Sequence, residues 1–193
     1  MTDLEQLQIT ARKGDADAQF QLGLRYDNAD GVARDPVGAA NWYRFAADQG
    51  HAEAQLHLGL MFNAGDVGFE RDDAEAAKWF RLAAVQGLAD AQFNIGLMHY
   101  NAEGVEQSDE EAHTWFAAAA SQGHPKAQFN LGVLYANGHG VEKNFVQAYE
   151  LWWRATMQGD ANANANIGMM RSKLTDDEAE TAQAAAVEWI NQQ

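Results

Sequence analysis

Residues 14–50 read GDADAQFQLGLRYDNADGVARDPVGAANWYRFAADQG, and this stretch decides the fold. Related stretches follow it without interruption at 51–87, 88–123 and 124–159. Self-similarity at a fixed period of about 20–50 residues is the signature of a repeat protein, whose units bury their apolar faces against their neighbours. The sequence therefore predicts a tandem array of four full units.

The repeat is defined by columns of residues that align in successive units. One glycine ends each unit and a second follows nine residues later. The two sets are Gly14, Gly50, Gly87, Gly123, Gly159 and Gly23, Gly59, Gly96, Gly132, Gly168. A pair of large apolar residues recurs at Trp42-Tyr43, Trp79-Phe80, Trp115-Phe116 and Leu151-Trp152. So many columns do not align over four copies by chance.

Each unit is predicted to form two helices. In the first unit Ala18, Leu22 and Tyr26 have the i, i+4 spacing of one helical face, which predicts a helix from Asp15 to about Asn28. A loop with a glycine and an apolar residue follows in each unit. These loop pairs are Gly31-Val32, Gly68-Phe69, Gly104-Val105 and Gly140-Val141.

The second helix has clear boundary signals. Asp35 is a predicted N-cap, and Pro36 suits the first helical position, so this helix should run from Pro36 to Gln49. Gly23 and its counterparts lie inside the first helix, where a glycine costs roughly 1 kcal/mol relative to alanine. Five copies of this cost, Gly168 included, predict close approach of a neighbouring helix at each glycine.

The two ends of the chain differ from the middle. Residues 3–13 predict a lone capping helix, and Thr175 to Glu178 form a capping box that opens a final helix to about Ile190. We therefore expect eleven helices in one solenoid domain over 1–193. Its parts are the cap 3–13, repeats 14–50, 51–87, 88–123 and 124–159, and a degenerate repeat with a C-terminal cap over 160–193.

Composition narrows the class of partner. The net charge is −15, and such an acidic surface repels phosphate backbones, so nucleic acid is not an expected partner. The charge either keeps the surface solvated or attracts a basic partner. There are no cysteines, and no stretch approaches the ~18 apolar residues of a membrane span. We expect a monomer without membrane insertion, in the cytoplasm, or in the periplasm if a signal peptide has been removed.

Catalytic and metal-binding patterns are weak. The six histidines form no H-E-x-x-H set, and the serines form no G-x-S-x-G elbow. Glu53 and His57 share a helical face, but such a pair is usually a surface pair. His51 and His124 follow helix-ending glycines, where a capping role is expected. We therefore predict no enzyme activity, no metal and no cofactor.

A candidate binding face lies on the first helix of each unit, away from the repeated core columns. Amide-type side chains spaced along an apolar floor suit an extended peptide or a helix of a partner. The phenylalanines could instead pack between repeats, and the amides could merely be solvated. The candidate residues are Gln21, Leu24, His57, Leu60, Asn63, Phe93, Asn94, Leu97, Tyr100, Phe129, Asn130, Val133 and Asn166.

The unit resembles the Sel-one-like repeat (SLR), a relative of the tetratricopeptide repeat, over about residues 14–172. His99 and Leu151 depart from the pattern. The residues that carry it in the first unit are Ala18, Leu22, Gly23, Tyr26, Gly31, Val32, Ala39, Trp42, Tyr43, Ala46, Ala47 and Gly50. The resemblance implies an all-α, right-handed α/α superhelix with the first helices on its concave face.

The resemblance also implies a protein-binding scaffold or adaptor of bacterial type. An alternative is a specific inhibitor or immunity protein that neutralises a toxin or enzyme. Asparagines of tetratricopeptide domains can hold a terminal carboxylate when lysines accompany them. Here only Lys126 is expected on a comparable face, so that mode and an acidic ligand are not expected.

Overall fold

The computed structural model describes residues 2–65 and 70–192, and the regular structure in these residues is α-helical. It contains the eleven helices expected. They are α1 (Asp3–Arg12), α2 (Ala16–Asn28), α3 (Pro36–Asp48), α4 (Ala52–Ala64), α5 (Asp73–Val85), α6 (Ala89–Asn101), α7 (Asp109–Ser121), α8 (Pro125–Asn137), α9 (Phe145–Met157), α10 (Ala161–Arg171) and α11 (Asp176–Asn191). The predicted loop pair Gly68-Phe69 lies outside the described residues.

The chain forms two compact units, residues 1–91 and 92–193. In the first unit, the core lies between α2, α3, α4 and α5 and is built from alanines around the fully buried Tyr43 ring. In the second unit, one cluster surrounds Phe116, and another surrounds Trp152 and extends to α11. Small alanines let the helices approach closely, and the rings fill the space that remains.

Helix N-termini are capped where the sequence predicts it. The Asp35 carboxylate accepts a hydrogen bond from the Gly38 N–H at 2.9 Å, with Pro36 at the first helical position. Thr175 and Glu178 form the expected capping box of α11. His51 and His124 also cap helices, since the Nδ1 atom of each accepts the N–H three residues later, at 3.2 and 3.1 Å. The expected capping role of both histidines is thus confirmed.

The mid-helix glycines allow close approach in four copies, as predicted. A Cβ atom at Gly23 would lie 2.6 Å from the Tyr43 ring. The same clash occurs at Gly59, Gly96 and Gly132, with Phe80, Phe116 and Trp152. At Gly168 the prediction is wrong, because nothing lies within 4 Å of such an atom. The last helix, α11, packs mainly on α9 and not on α10, so it brings no ring to this position.

A relay of glutamine amides connects successive helices, and the sequence reasoning did not anticipate it. In the fourth repeat, the Gln128 side chain donates a hydrogen bond to the Ala120 carbonyl of α7 at 3.3 Å. Its oxygen accepts a hydrogen bond from Gln158, at the C-terminus of α9, at 2.7 Å. Gln19 and Gln55 make the same two kinds of hydrogen bond, to the carbonyl of a preceding helix and from a later glutamine, within residues 1–91. In these three repeats a buried amide therefore joins three helices.

His99 replaces the Tyr or Phe of the other units without disrupting the core. The side chain is buried, and its Nδ1 atom lies 3.1 Å from the carbonyl oxygen of Glu106 in the following loop. The Ser108 N–H in turn donates to the His99 carbonyl at 3.1 Å. A polar ring is accommodated here because the loop backbone supplies its hydrogen-bond partner.

Candidate partner-binding surface

Within residues 1–91, the predicted binding residues on α2 and α4 differ in accessibility. Gln21 is exposed, and Leu60 is 42% exposed although it is apolar. Leu24 is half-buried and packs against the core of this unit. Gln21 and Leu60 are thus the most accessible of the candidate residues on these two helices.

Asn63 lies at the end of α4, where its amide takes part in the fold. Its Nδ2 atom donates to an Asp73 carboxylate oxygen at 3.2 Å, and the Arg71 Nε atom donates to the same oxygen at 2.8 Å. The hydrogen bond from Arg71 lowers the pKa of Asp73, and Asn63 contributes in the same direction. Asn63 therefore holds the start of α5 and has less freedom to bind a partner than Gln21.

His57 lies between two aromatic rings. Its ring centroid is 5.4 Å from that of Phe20 and 4.9 Å from that of Tyr43. Burial lowers the pKa of His57, and the nearby carboxylates of Asp27 and Glu53 oppose that shift only in part. Burial also raises the pKa of Tyr43, whose hydroxyl lies 3.5 Å from an Asp27 oxygen. The cluster is therefore aromatic, and its histidine is uncharged at pH 7.

A His57→Gln variant should lose part of the pH dependence of stability. Since burial holds the pKa of His57 in the folded protein below the ordinary histidine value of about 6.5, the unfolded chain binds this proton more readily. The wild type should therefore lose stability as the pH falls from about 7.5 to about 5.5, and the variant should lose less. Urea denaturation at both pH values measures the difference. Burial also lowers the pKa of His113, but that group is common to both proteins and cancels. Identical losses would contradict the prediction.

On α6, the candidate residues contribute mainly to packing. The Phe93 ring stacks on His124 with centroids 4.6 Å apart and lies 6.0 Å from Phe116. Leu97 and Tyr100 are half-buried against the cluster around Phe116. Only the remaining edges of these side chains are accessible. Asn94, also half-buried, lies on the same helix.

On α8, the candidate residues divide into core and surface. Phe129 packs against the cluster around Trp152, and its carbonyl accepts a hydrogen bond from the Trp152 indole at 3.0 Å. Asn130 is half-buried, and its side chain forms no hydrogen bond with any residue that the structure describes. A half-buried amide without an internal partner is well suited to bind one from outside.

Two candidate residues from different helices meet in one pocket. Val133 of α8 and Asn166 of α10 line a cavity of about 250 Å³ within residues 92–193. Two more lining residues belong to the same repeated columns, since Met169 is the counterpart of Val133 and Ala136 is the counterpart of Tyr100. The remaining lining residues fall outside those columns, and the sequence did not point to them. They are Asn137, Trp152, Met170 and Lys173.

Within residues 2–65 and 70–192, no group of three or more His, Asp or Glu side chains could hold a metal ion. None of the described helices is long and apolar enough to cross a membrane.

Paired helices joined by repeated side-chain contacts define a helical-repeat protein. The family model of the Sel1 repeat matches residues 16–51, 52–88, 89–124 and 125–160, so the chain belongs to the Sel1 repeat family. The expected family and fold class, an all-α solenoid of repeats, are confirmed. Sel1 repeat proteins are generally protein-interaction scaffolds, and the fold is typically non-catalytic.

Solved structures give the same result, while no curated protein sequence matches. A Sel1 repeat protein from Oxalobacter formigenes is 30% identical with a TM-score of 0.78, covering 91% of this chain and 74% of that one. A protective antigen with an SLR fold, present in uropathogenic Escherichia coli strains, is 27% identical with a TM-score of 0.64. That match covers 96% of this chain, which spans about half (47%) of the antigen.

A third structure, an immunity protein from Pseudomonas aeruginosa, is more distant. It is 20% identical with a TM-score of 0.52, and the match covers 96% of this chain and 73% of the immunity protein. At this identity the likeness is one of fold alone.

Proposed function

We propose that the protein is an interaction scaffold that binds a protein partner along the exposed side of its first helices. The observation that carries this is the surface of α8 and α10. There the Asn130 and Asn166 amides form no hydrogen bond with a described residue and lie on the same helices as Val133 and Met169. Amides can bind the backbone of a peptide or helix, and apolar neighbours supply contact area.

The charge of the protein favours a basic or neutral partner. With 28 acidic and 13 basic residues, the surface attracts cationic segments and repels acidic ones. Such attraction mainly raises the rate of association and decreases with salt. The amides and apolar side chains would then supply the short-range contacts.

An Asn130→Ala, Asn166→Ala double variant tests the proposed face. The partner is captured from the native source with the wild-type chain, identified by mass spectrometry and then titrated. Loss of two interfacial amides should weaken binding about tenfold or more, while the thermal melting curve stays nearly unchanged. An Asn41→Ala, Gln183→Ala variant, with two exposed amides on α3 and α11, is the control. If both variants bind like the wild type, the partner binds elsewhere.

An inhibitor or immunity role is the second candidate. It is favoured by the net charge of −15, which suits a basic enzyme as target. The immunity protein from Pseudomonas aeruginosa has a similar fold, which supports this candidate. A single partner bound at a one-to-one ratio, with loss of its enzymatic activity, would support this role. Several partners that stay active would support an adaptor.

A further inference from the structure

The pocket in the second unit has an apolar floor. Trp152 of α9 and Met170 of α10 lie at its base and are 3% and 6% exposed. The Trp152 indole N–H donates to the Phe129 carbonyl, so the part of this ring that lines the pocket is apolar. Val133 and Ala136 of α8 complete one wall, and Met169, which is 66% exposed, forms part of the rim. This floor fits an apolar side chain.

The rim of the pocket carries hydrogen-bond donors and a positive charge. The amides of Asn137 and Asn166 form no hydrogen bond with any described residue. Lys173, which follows α10, lines the same pocket, with its Nζ atom 4.8 Å from the centroid of the Phe145 ring. A cation–π contact of this kind uses one side of the ammonium group and leaves donors for an anion.

The lining of the pocket is positively charged, whereas the protein as a whole is negatively charged. Acidic residues outnumber basic ones by 28 to 13, yet among the described residues the pocket is lined by a lysine and by no carboxylate. An ammonium with two amide donors matches the acceptor oxygens of a carboxylate, and hydrogen bonds to charged groups are the stronger ones. The rim therefore favours a carboxylate as ligand.

The size of the pocket limits what can occupy it. Its volume of about 250 Å³ is below the roughly 300–1,000 Å³ of sites that enclose a whole small ligand, so a single amino-acid residue is the better fit. An internal Asp or Glu offers a carboxylate but no apolar side chain of its own. The last residue of a chain can offer both within a few ångströms.

We propose that this pocket binds the C-terminal residue of a partner polypeptide. The apolar side chain lies on Trp152 and Met170, and the terminal carboxylate binds Lys173 and the amides of Asn137 and Asn166. This inference rests on the proposed function, since it assumes a protein partner. The proposal departs from the expectation for a terminal carboxylate, which took Lys126 as the only available lysine, because Lys173 supplies the cation in this pocket. A basic or neutral chain still ends in one carboxylate, so such a ligand is compatible with the acidic surface.

The first test compares two peptides that differ only at the terminus. Acetyl-Lys-Ala-Ala-Leu is titrated as the free acid and as the C-terminal amide into protein labelled with ¹³C at its six methionine methyl groups. The free acid should shift the NMR signals of Met169 and Met170, assigned by Met→Leu variants, in a saturable way. The amide should bind about tenfold more weakly or worse. Equal binding of both peptides would rule out carboxylate recognition.

The second test removes the positive charge. Lys173→Met, which keeps a long apolar side chain, should weaken binding of the free acid about tenfold, whereas Lys126→Met, an exposed lysine on α8 that does not line the pocket, should leave it unchanged. Unchanged binding by Lys173→Met would overturn the proposal. So would equally tight binding of 4-methylpentanoate, since the site would then serve a free small acid.

Failure of this inference and failure of the proposed function give different results. The peptide titration reads the pocket directly and needs no natural partner. If the captured partner binds Lys173→Met as it binds the wild type, the pocket does not hold its terminus, but the scaffold function stands. If no partner is captured while the free-acid peptide still binds, the pocket assignment stands and the scaffold function loses its support.

Discussion

Replacing Gly96 with valine should lower the free energy of unfolding by about 3 kcal/mol, the upper part of the range for overpacked cores. A Cβ atom at this position would lie 2.8 Å from the Phe116 ring and 3.3 Å from the Trp115 Cβ atom. Phe116 is fully buried, so its ring cannot move into solvent. The gain in helix propensity on leaving glycine is less than about 1 kcal/mol and cannot offset the clash. Urea denaturation followed by circular dichroism measures the change.

Gly168 provides a matched control from the same column of the repeat. It also lies inside a first helix, α10, but an added Cβ atom would contact nothing within 4 Å. Gly168→Ala should therefore raise the free energy of unfolding by about 0.5–1 kcal/mol, through helix propensity alone. Opposite signs at Gly96 and Gly168 are the critical outcome. An unchanged midpoint for Gly96→Val would show that the glycines do not serve close packing.

The contrast between these glycines shows how much of the fold the sequence predicts. Periodicity locates the helices and their caps because local hydrogen bonding and amphipathic spacing are encoded within a few residues, as at Asp35 and Thr175. Close approach depends on a ring from another helix. Four repeats supply that ring from the helix that follows the glycine, but α11 packs mainly on α9 and brings no ring to Gly168. A glycine column alone cannot report this, whereas the missing aromatic pair after Gly168 could have.

The candidate site was less predictable than the fold, for a related reason. Helical spacing places Phe93 and Asn130 on the first helices, but it cannot decide whether a side chain packs inward or remains accessible. Phe93 stacks on the capping ring of His124, while Asn130 has no internal partner among the described residues. Lys173 follows α10 and lies outside every repeated column. Only the tertiary structure therefore brings it to the pocket with Asn137.

Gln128→Ala should destabilise the protein by about 2–3 kcal/mol, the second large effect that we expect. Gln128 is fully buried, donates to the Ala120 carbonyl and accepts from Gln158. Truncation removes both hydrogen bonds and leaves a cavity between three helices, and each of these losses costs about 1 kcal/mol or more. A Gln128→Leu variant retains most of the volume, so it should recover the cavity contribution and lose only the hydrogen bonds.

The fifth copy of the Gln128 column provides a control for the general effect of removing an amide. Asn164 occupies the equivalent place on α10 but is exposed, and its side chain forms no hydrogen bond with the described residues. Asn164→Ala should therefore change the free energy of unfolding by no more than about 0.5 kcal/mol. If Gln128→Ala has an equally small effect, the amide chain is a consequence of helix packing. A loss confined to Gln128 would show that buried amides link one repeat to the next, as the glycine and ring columns do.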